Sequence, residues 1–203
     1  MSDRLTLGFD TAAAHCAAAL VSGDRVVAEG FEAMARGQAE ALFPLLDGLL
    51  REAGAAWDDL HALGVGVGPG NFTGIRIAVA AARGLALGLR IPCEGVSAFE
   101  ALAPDEDTPV AVAAPRGAMH VGWRGGQMLL EAGAPWPEGW PRRAAGAAVN
   151  GIEAVPARPL AQSIARIAAA RAAPGRPRPA PLYGREADAL PRSDPPPRII
   201  PDA

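Results

Sequence analysis

Gly64-Val65-Gly66-Val67-Gly68-Pro69-Gly70-Asn71-Phe72-Thr73-Gly74-Ile75-Arg76 is the stretch on which the fold turns. It reads as a short strand from Leu63 to Val67, a glycine-rich loop, and a helix running from about Gly74 to Leu89. Asn71 or Thr73 can cap that helix. A strand, a glycine loop and a helix N-terminus together can offer backbone N–H groups to an anion. The spacing fits neither common phosphate loop. No third glycine falls where a dinucleotide fold needs it, and no Lys-Ser/Thr pair closes the run. The other reading is that the glycines let backbone and helix pack closely.

The helix that follows is apolar nearly all round. Ile77, Ala78, Ala81, Leu85 and Leu89 share one side, a natural core face. Val79, Ala80, Ala86 and Leu87 lie opposite, with Arg76 and Arg83 as the charges on the helix. Such a helix is buried on both sides. One side can meet its own sheet; the other is expected to meet a second chain, and Ala80, Gly84 and Gly88 permit close approach. Upstream, Gln38 to Ala53 reads as an amphipathic helix ended by Gly54, with Leu42, Leu45, Leu46, Leu49, Leu50 and Ala53 at helical spacing. Phe43 widens its apolar stripe beyond one core face. Pro44 is expected to bend the first turns or to lie near the start of the regular helix.

Working outward, Leu5 to Asp10, Cys16 to Ser22 and Val26 to about Met34 form a three-stranded meander, with Asp10-Thr11 at its first bend. Ile91 to Val96 is another strand, and Ser97 caps a short helix to Ala103. The order β-β-β-α-β-α-β-α predicts a mixed α/β sheet. Pro104-Asp105-Glu106-Asp107 divides the chain into lobes at 1–104 and 105–203. Val110 to Ala114, His120 to Trp123 and Leu129-Leu130 are expected strands of the smaller second lobe. Leu160 to Ala173 is a helix, and residues 174–203 are Pro-rich and irregular. No repeat of solenoid period is visible.

Composition removes several chemistries. All 19 of the Lys/Arg positions are Arg, which excludes a Walker lysine, a Schiff-base lysine and a Ser-Lys dyad. The 2 cysteines, Cys16 and Cys93, are expected as small core residues rather than a disulfide or zinc set. His15, His61 and His120 fall in no metal-binding spacing, and no serine sits in a G-x-S-x-G elbow. No catalytic residue and no metal ligand is therefore assigned. Residues 1–110 are rich in acids, which disfavours gripping a phosphate backbone unaided. Residues 158–203 are rich in Arg; such a basic tail can touch RNA, but Arg-Pro runs are more often solvated. No run reaches roughly 18 uninterrupted apolar residues, and Met1-Ser2-Asp3-Arg4 leads into a strand without a signal-peptide layout. A cytoplasmic protein with no membrane contact is expected.

Leu7-Gly8-Phe9-Asp10-Thr11, the run Gln38-Ala39-Glu40-Ala41-Leu42-Phe43-Pro44-Leu45-Leu46, and the stretches 66–78 and 84–103 resemble the TsaB (YeaZ) family. Pro181-Leu182-Tyr183-Gly184-Arg185-Glu186-Ala187-Asp188 resembles its C-terminal signature. The likeness is firm over 1–103 and loose over 104–180. It implies an actin/Hsp70/sugar-kinase-like (ribonuclease H-like) fold of two lobes, the second reduced. It also implies a non-catalytic subunit that pairs with a TsaD-type threonylcarbamoyltransferase, which modifies adenine N6 next to the anticodon of tRNAs reading ANN codons. A TsaE-type ATPase joins the same assembly, and tRNA is reached only through the complex. A homodimer of the chain alone would use the same helices.

With the helical wheels, the resemblance assigns Phe43, Leu46, Leu50, Arg76, Val79, Ala80, Arg83 and Leu87 to the partner interface. Asp10 and Thr11 are assigned as a vestigial cofactor site. The chain is expected to require no cofactor, with ATP or ADP placed at the junction with the partner. The resemblance is imperfect: Gln38 stands where the family often has His, and Asn71 replaces the commoner Ser. Ala113-Ala114-Pro115-Arg116 stands where an Asp-Ala-Arg run is usual. An alternative, a small ATPase or phosphotransferase using Asp10 and the glycine loop, needs a second acid at the phosphates, and Ala113 to Arg116 supplies none. A peptidase reading lacks both a metal pair and a nucleophile–base set.

Overall fold

In the computed structural model, residues 4–184 are described. The meander is β1 (Leu5–Asp10), β2 (His15–Ser22) and β3 (Arg25–Ala33), antiparallel throughout. Helix α1 (Gln38–Glu52) leads to β4 (Leu60–Gly66), then helix α2 (Phe72–Leu89) leads to β5 (Cys93–Val96). Strand β4 pairs parallel with β1, and β5 parallel with β4. The first sheet therefore runs β3-β2-β1-β4-β5, a mixed sheet whose parallel half comes from the two helical crossovers.

Alternation along the strands divides the residues between two layers. Leu7, Phe9, Ala18, Leu20, Leu63 and Val65 join Leu42, Leu46, Leu49, Leu50, Ile75, Ala78, Val79 and Ala82 of α1 and α2 in the main core. The other face carries Gly8 and Gly64, where a Cβ would collide with backbone atoms of Ala165 and Ile164. Those two residues belong to α4 (Leu160–Arg171), which packs on β1, β2 and β4. Side chains absent at positions 8 and 64 let this alanine-rich helix lie directly on the sheet.

The short helix α3 (Ala98–Leu102) begins with a capping box in which Ser97 Oγ accepts from the Glu100 N–H and Glu100 reaches back to the Ser97 N–H. The second sheet then follows: β6 (Val110–Ala113), β7 (Met119–Trp123), β8 (Gly126–Leu130), β9 (Arg143–Gly146) and β10 (Glu153–Val155). Its order is β10-β9-β6-β7-β8. An antiparallel meander followed by two strands added in parallel beside its first member is the connectivity of the first sheet again. Each lobe thus has the ribonuclease H-like strand order, and the second lacks the crossover helices. This is the two-lobed actin/sugar-kinase-like architecture with a reduced second lobe.

Several details differ from the sequence expectations. Strand β4 starts at Leu60, and α2 starts at Phe72 because Asn71 is its cap. Pro44 lies well inside α1, where its ring is exposed. Strands β9 and β10 were not expected. Helix α4, which the boundary at 104 and 105 places with the second lobe, packs on the first sheet. The fully buried side of α2 is Gly74, Ile75, Ala78, Val79 and Ala82. Of the expected core face, Ala78 is fully buried, and Ile77, Ala81, Leu85 and Leu89 pack against the same core at its partly buried margin. Val79, expected opposite, faces in.

Candidate partner interface and interlobe cleft

The loop after β4 packs on the bend after β1. The Asn71 N–H donates to the Ala12 carbonyl at 2.6 Å. The Thr11 hydroxyl, fully buried, donates to the Gly74 carbonyl at 2.7 Å. A Cβ at Gly70 would meet the Ala12 carbonyl oxygen, and one at Gly74 the Thr11 carbonyl oxygen. Asn71 Oδ1 caps α2 by accepting from the Gly74 N–H at 2.9 Å. The glycines therefore serve close packing. Backbone of Thr11 and Ala12 lies directly against Gly70 and Gly74 at the start of α2.

Asp10 is buried but lines a cleft of about 640 Å³ between the lobes. Its Oδ1 accepts from the Ala12 N–H at 2.8 Å and lies 2.9 Å from His15 Nε2. His15, expected to stand alone, also contacts the ring of Phe31 at 5.3 Å between centroids. The cleft walls are mostly small apolar side chains, among them Ala12, Ala17, Ala98, Ala111 and Ala161, and no Arg lines it among the described residues. A nucleotide triphosphate with its metal does not fit this set. Thr11 is sealed away, Asp10 has one carboxylate oxygen engaged by the Ala12 N–H and His15, and phosphate would find no guanidinium. In this structure the Asp10 and Thr11 side chains hold the bend in place.

A larger groove of about 1040 Å³ lies between α3, α4 and the β7–β8 hairpin. Its arginines are engaged: Arg124 with Asp107, Arg171 with Glu100, and Arg158 with the Pro104 carbonyl. The cysteines offer no nucleophile. Burial, reinforced by the Glu94 charge, pushes the Cys93 thiol up to about 12, and burial likewise raises Cys16.

The eight expected interface positions separate cleanly. Leu46, Leu50 and Val79 are core residues, at most 3% exposed. No partner reaches them without opening the first lobe, so they leave the interface. Phe43 and Leu87 are exposed, at 44% and 72%. Arg76, Ala80 and Arg83 are exposed as well. Together with Gly84, Leu87 and Gly88 they form one stripe along α2, at spacings of three and four. Around Gly84 and Gly88 a Cβ would meet nothing. Helix α1 packs beside α2 on the same face of the sheet.

Both α2 arginines also hold the chain's own C-terminal segment. Arg76 Nε donates to Tyr183 Oη at 2.9 Å, and Arg83 Nε to the Pro179 carbonyl at 2.7 Å. Phe72 lies beneath the Arg76 guanidinium. Phe72 and Tyr183 were not singled out from the sequence as site residues. The available signal was that the chain's 1 tyrosine falls in an otherwise Pro- and Arg-rich run. The remaining signature residues, 185–188, lie outside the described residues.

Two lobes of ribonuclease H-like connectivity around an interlobe cleft define a protein of the actin/sugar-kinase-like class. Comparison with known proteins narrows this. The sequence model of tRNA N6-adenosine threonylcarbamoyltransferase (TsaD) matches residues 32–122. The tRNA threonylcarbamoyladenosine biosynthesis protein TsaB of Escherichia coli is 39% identical over 97 residues, which is 48% of this chain and 42% of the relative. The matched stretch thus spans less than half of that relative's length. Among solved structures, a Pseudomonas aeruginosa protein described as similar to peptidase YeaZ is 30% identical with a TM-score of 0.57, over 66% of this chain and 71% of that one. YeaZ from Pseudomonas aeruginosa superposes with a TM-score of 0.64 at 25% identity, covering 81% of this chain and 90% of its own. The chain belongs to the TsaB (YeaZ) family.

Proposed function

We propose that this chain is a non-catalytic subunit that pairs with a TsaD-type threonylcarbamoyltransferase through the exposed face of α2. In that pair it supports formation of N6-threonylcarbamoyladenosine next to the anticodon of tRNAs reading ANN codons. The observation that carries the reading is the exposed stripe Arg76, Ala80, Arg83, Gly84, Leu87, Gly88: a helix face on which two arginines are interleaved with small residues and an exposed leucine. Large apolar side chains on such a face mark contact sites. The TsaD family model matches residues 32–122, a span that contains both α1 and α2. Two proteins that share this helix pair can present like surfaces to one another, in the manner of an isologous dimer.

The TsaB relative is named for threonylcarbamoyladenosine biosynthesis, which supports the reaction class. The engagement of Asp10 and the sealing of Thr11 support a role without catalysis. On this reading the chain works in the cytoplasm, where its tRNA substrate is, and touches tRNA only through the complex. A TsaE-type ATPase completes the assembly, and ATP or ADP sits at the subunit junction, not in the cleft of this chain. Helix α2 has the length and apolarity to cross a membrane, but its core face is committed to the sheet and its outer face carries two arginines.

The test is to purify the tagged chain from its own cells, identify what elutes with it, and assay the eluate for threonylcarbamoyl transfer to tRNA. Recovery of a TsaD-type protein, with transfer only when both proteins are present, is the expected result. A lone chain that hydrolyses ATP would overturn it in favour of the phosphotransferase.

A further inference from the structure

We propose that residues 176–183 form a strap that presets Arg76 and Arg83 for binding, and that Phe72 and Tyr183 extend the α2 face. The face then takes a partner helix carrying two carboxylates about two turns apart. This rests on the reading of α2 given above.

The strap is anchored along its length. Arg176 makes two 2.8 Å hydrogen bonds to Glu94, whose carboxylate is buried. Pro179 lies against Gly95, and the Leu182 N–H donates to the Val67 carbonyl at 2.7 Å. Its last described residues meet α2: the Pro179 carbonyl takes Arg83 Nε, and Tyr183 Oη takes Arg76 Nε.

That choice of atoms decides what a partner can do. A guanidinium has five N–H donors and meets a carboxylate through two of them in parallel. With Nε engaged by the strap, the two Nη groups remain as an end-on fork. Among the described residues neither arginine makes another hydrogen bond. Positions 76 and 83 lie seven residues apart on one side of the helix, about 10 Å along its axis. Two partner carboxylates at that spacing, on a helix otherwise small and apolar opposite Ala80 and Gly84, match both forks.

Phe72 and Tyr183 add to this surface. The Arg76 guanidinium sits 3.7 Å over the Phe72 ring, and the Tyr183 ring is 4.9 Å from it. Neither ring is in the core; they are 44% and 38% exposed. Aromatic and arginine side chains in contact are the composition that dominates interface energetics. A long side chain held before binding has less conformational freedom to lose on binding. Beyond Arg83 the stripe continues through Gly84, Leu87 and Gly88 without a further cation, and small and apolar positions between and beyond two arginines favour protein over nucleic acid as the occupant.

The experiment measures the dissociation constant for the TsaD-type subunit of the same genome by calorimetry, at low and high salt. It uses the wild-type chain and the variants Tyr183→Phe, Tyr183→Ala, Arg76→Ala, Arg83→Ala and Ala80→Arg. Tyr183→Ala and Arg76→Ala are expected to weaken binding about tenfold or more, and Tyr183→Phe by about threefold, with the thermal midpoint unchanged. The arginine variants are expected to flatten the salt dependence, since exposed charge pairs are screened. Wild-type affinity in Tyr183→Ala overturns the strap. So does a loss confined to tRNA binding or to self-association. If Ala80→Arg blocks binding while Tyr183→Ala does not, only the strap fails. If Ala80→Arg binds normally, the α2 reading itself fails.

Discussion

At Thr11 the hydroxyl that could meet a phosphate donates instead to the Gly74 carbonyl, and the side chain is fully buried. Thr11→Val keeps the shape and strands that carbonyl, so it is expected to cost about 1–3 kcal/mol in urea unfolding. A loss of ATP binding without a loss of stability would contradict the role. Asp10→Ala is expected to leave partner binding unchanged, because the residue lies at the interlobe cleft and not on the α2 face; gel filtration with the partner checks this. The thiols give a third prediction. With Cys93 near 12, only about one molecule in ten thousand is thiolate at pH 8, so alkylation followed by mass spectrometry should find it unmodified in the native protein. Asp10 and Thr11 were legible from the sequence as a bend. Their hydrogen-bond partners were not, because Gly74 is 63 residues away from Thr11 and no local pattern announces such a contact.

The lesson at the level of elements comes from α2. Its existence, its end at Leu89 and its having apolar residues on both sides were readable from hydrophobic periodicity. Which side meets the sheet was not. A nearly all-apolar helix gives no polar stripe to fix its rotation, and here the rotation is set by the tie between Thr11 and Gly74 and by contact with α1. Val79 consequently faces in, and Leu46 and Leu50 of α1 with it, while Ala80 faces out. The two classes should separate by mutation. Leu46→Ala is expected to lose about 2–5 kcal/mol of stability through the cavity it leaves. Ala80→Arg should leave stability unchanged and abolish the complex. Thermal unfolding and gel filtration of both variants check this, and the reverse pattern would refute the assignment of faces. Strands β9 and β10 were missed for a different reason. Arg143–Gly146 and Glu153–Val155 hold few β-branched residues, so nothing local marks them as strands. They form because β6 offers an edge to pair with.

For the molecule as a whole, the repeated strand order of the two sheets makes the reduction of the second lobe intelligible. It keeps the five-stranded frame and dispenses with the helices that would build out a nucleotide site. The remaining helix, α4, returns to cover the open face of the first sheet. The result is a first sheet covered by helices on both faces, with the exposed outer face of α2 bordered by the strap. Meander, crossovers and reduced lobe were legible from the order of elements and turn signals. The return of α4 and the course of the strap are long-range packing decisions, visible only in the fold.

The central claim is that this chain acts through its α2 face and not through its interlobe cleft. The most direct measurement is threonylcarbamoyl transfer to tRNA by the complex reconstituted with its TsaD-type partner, comparing wild-type, Asp10→Ala and Ala80→Arg chains. Transfer retained in Asp10→Ala and lost in Ala80→Arg is the predicted result. Transfer lost in Asp10→Ala and retained in Ala80→Arg would contradict the claim, and would move the function into the cleft.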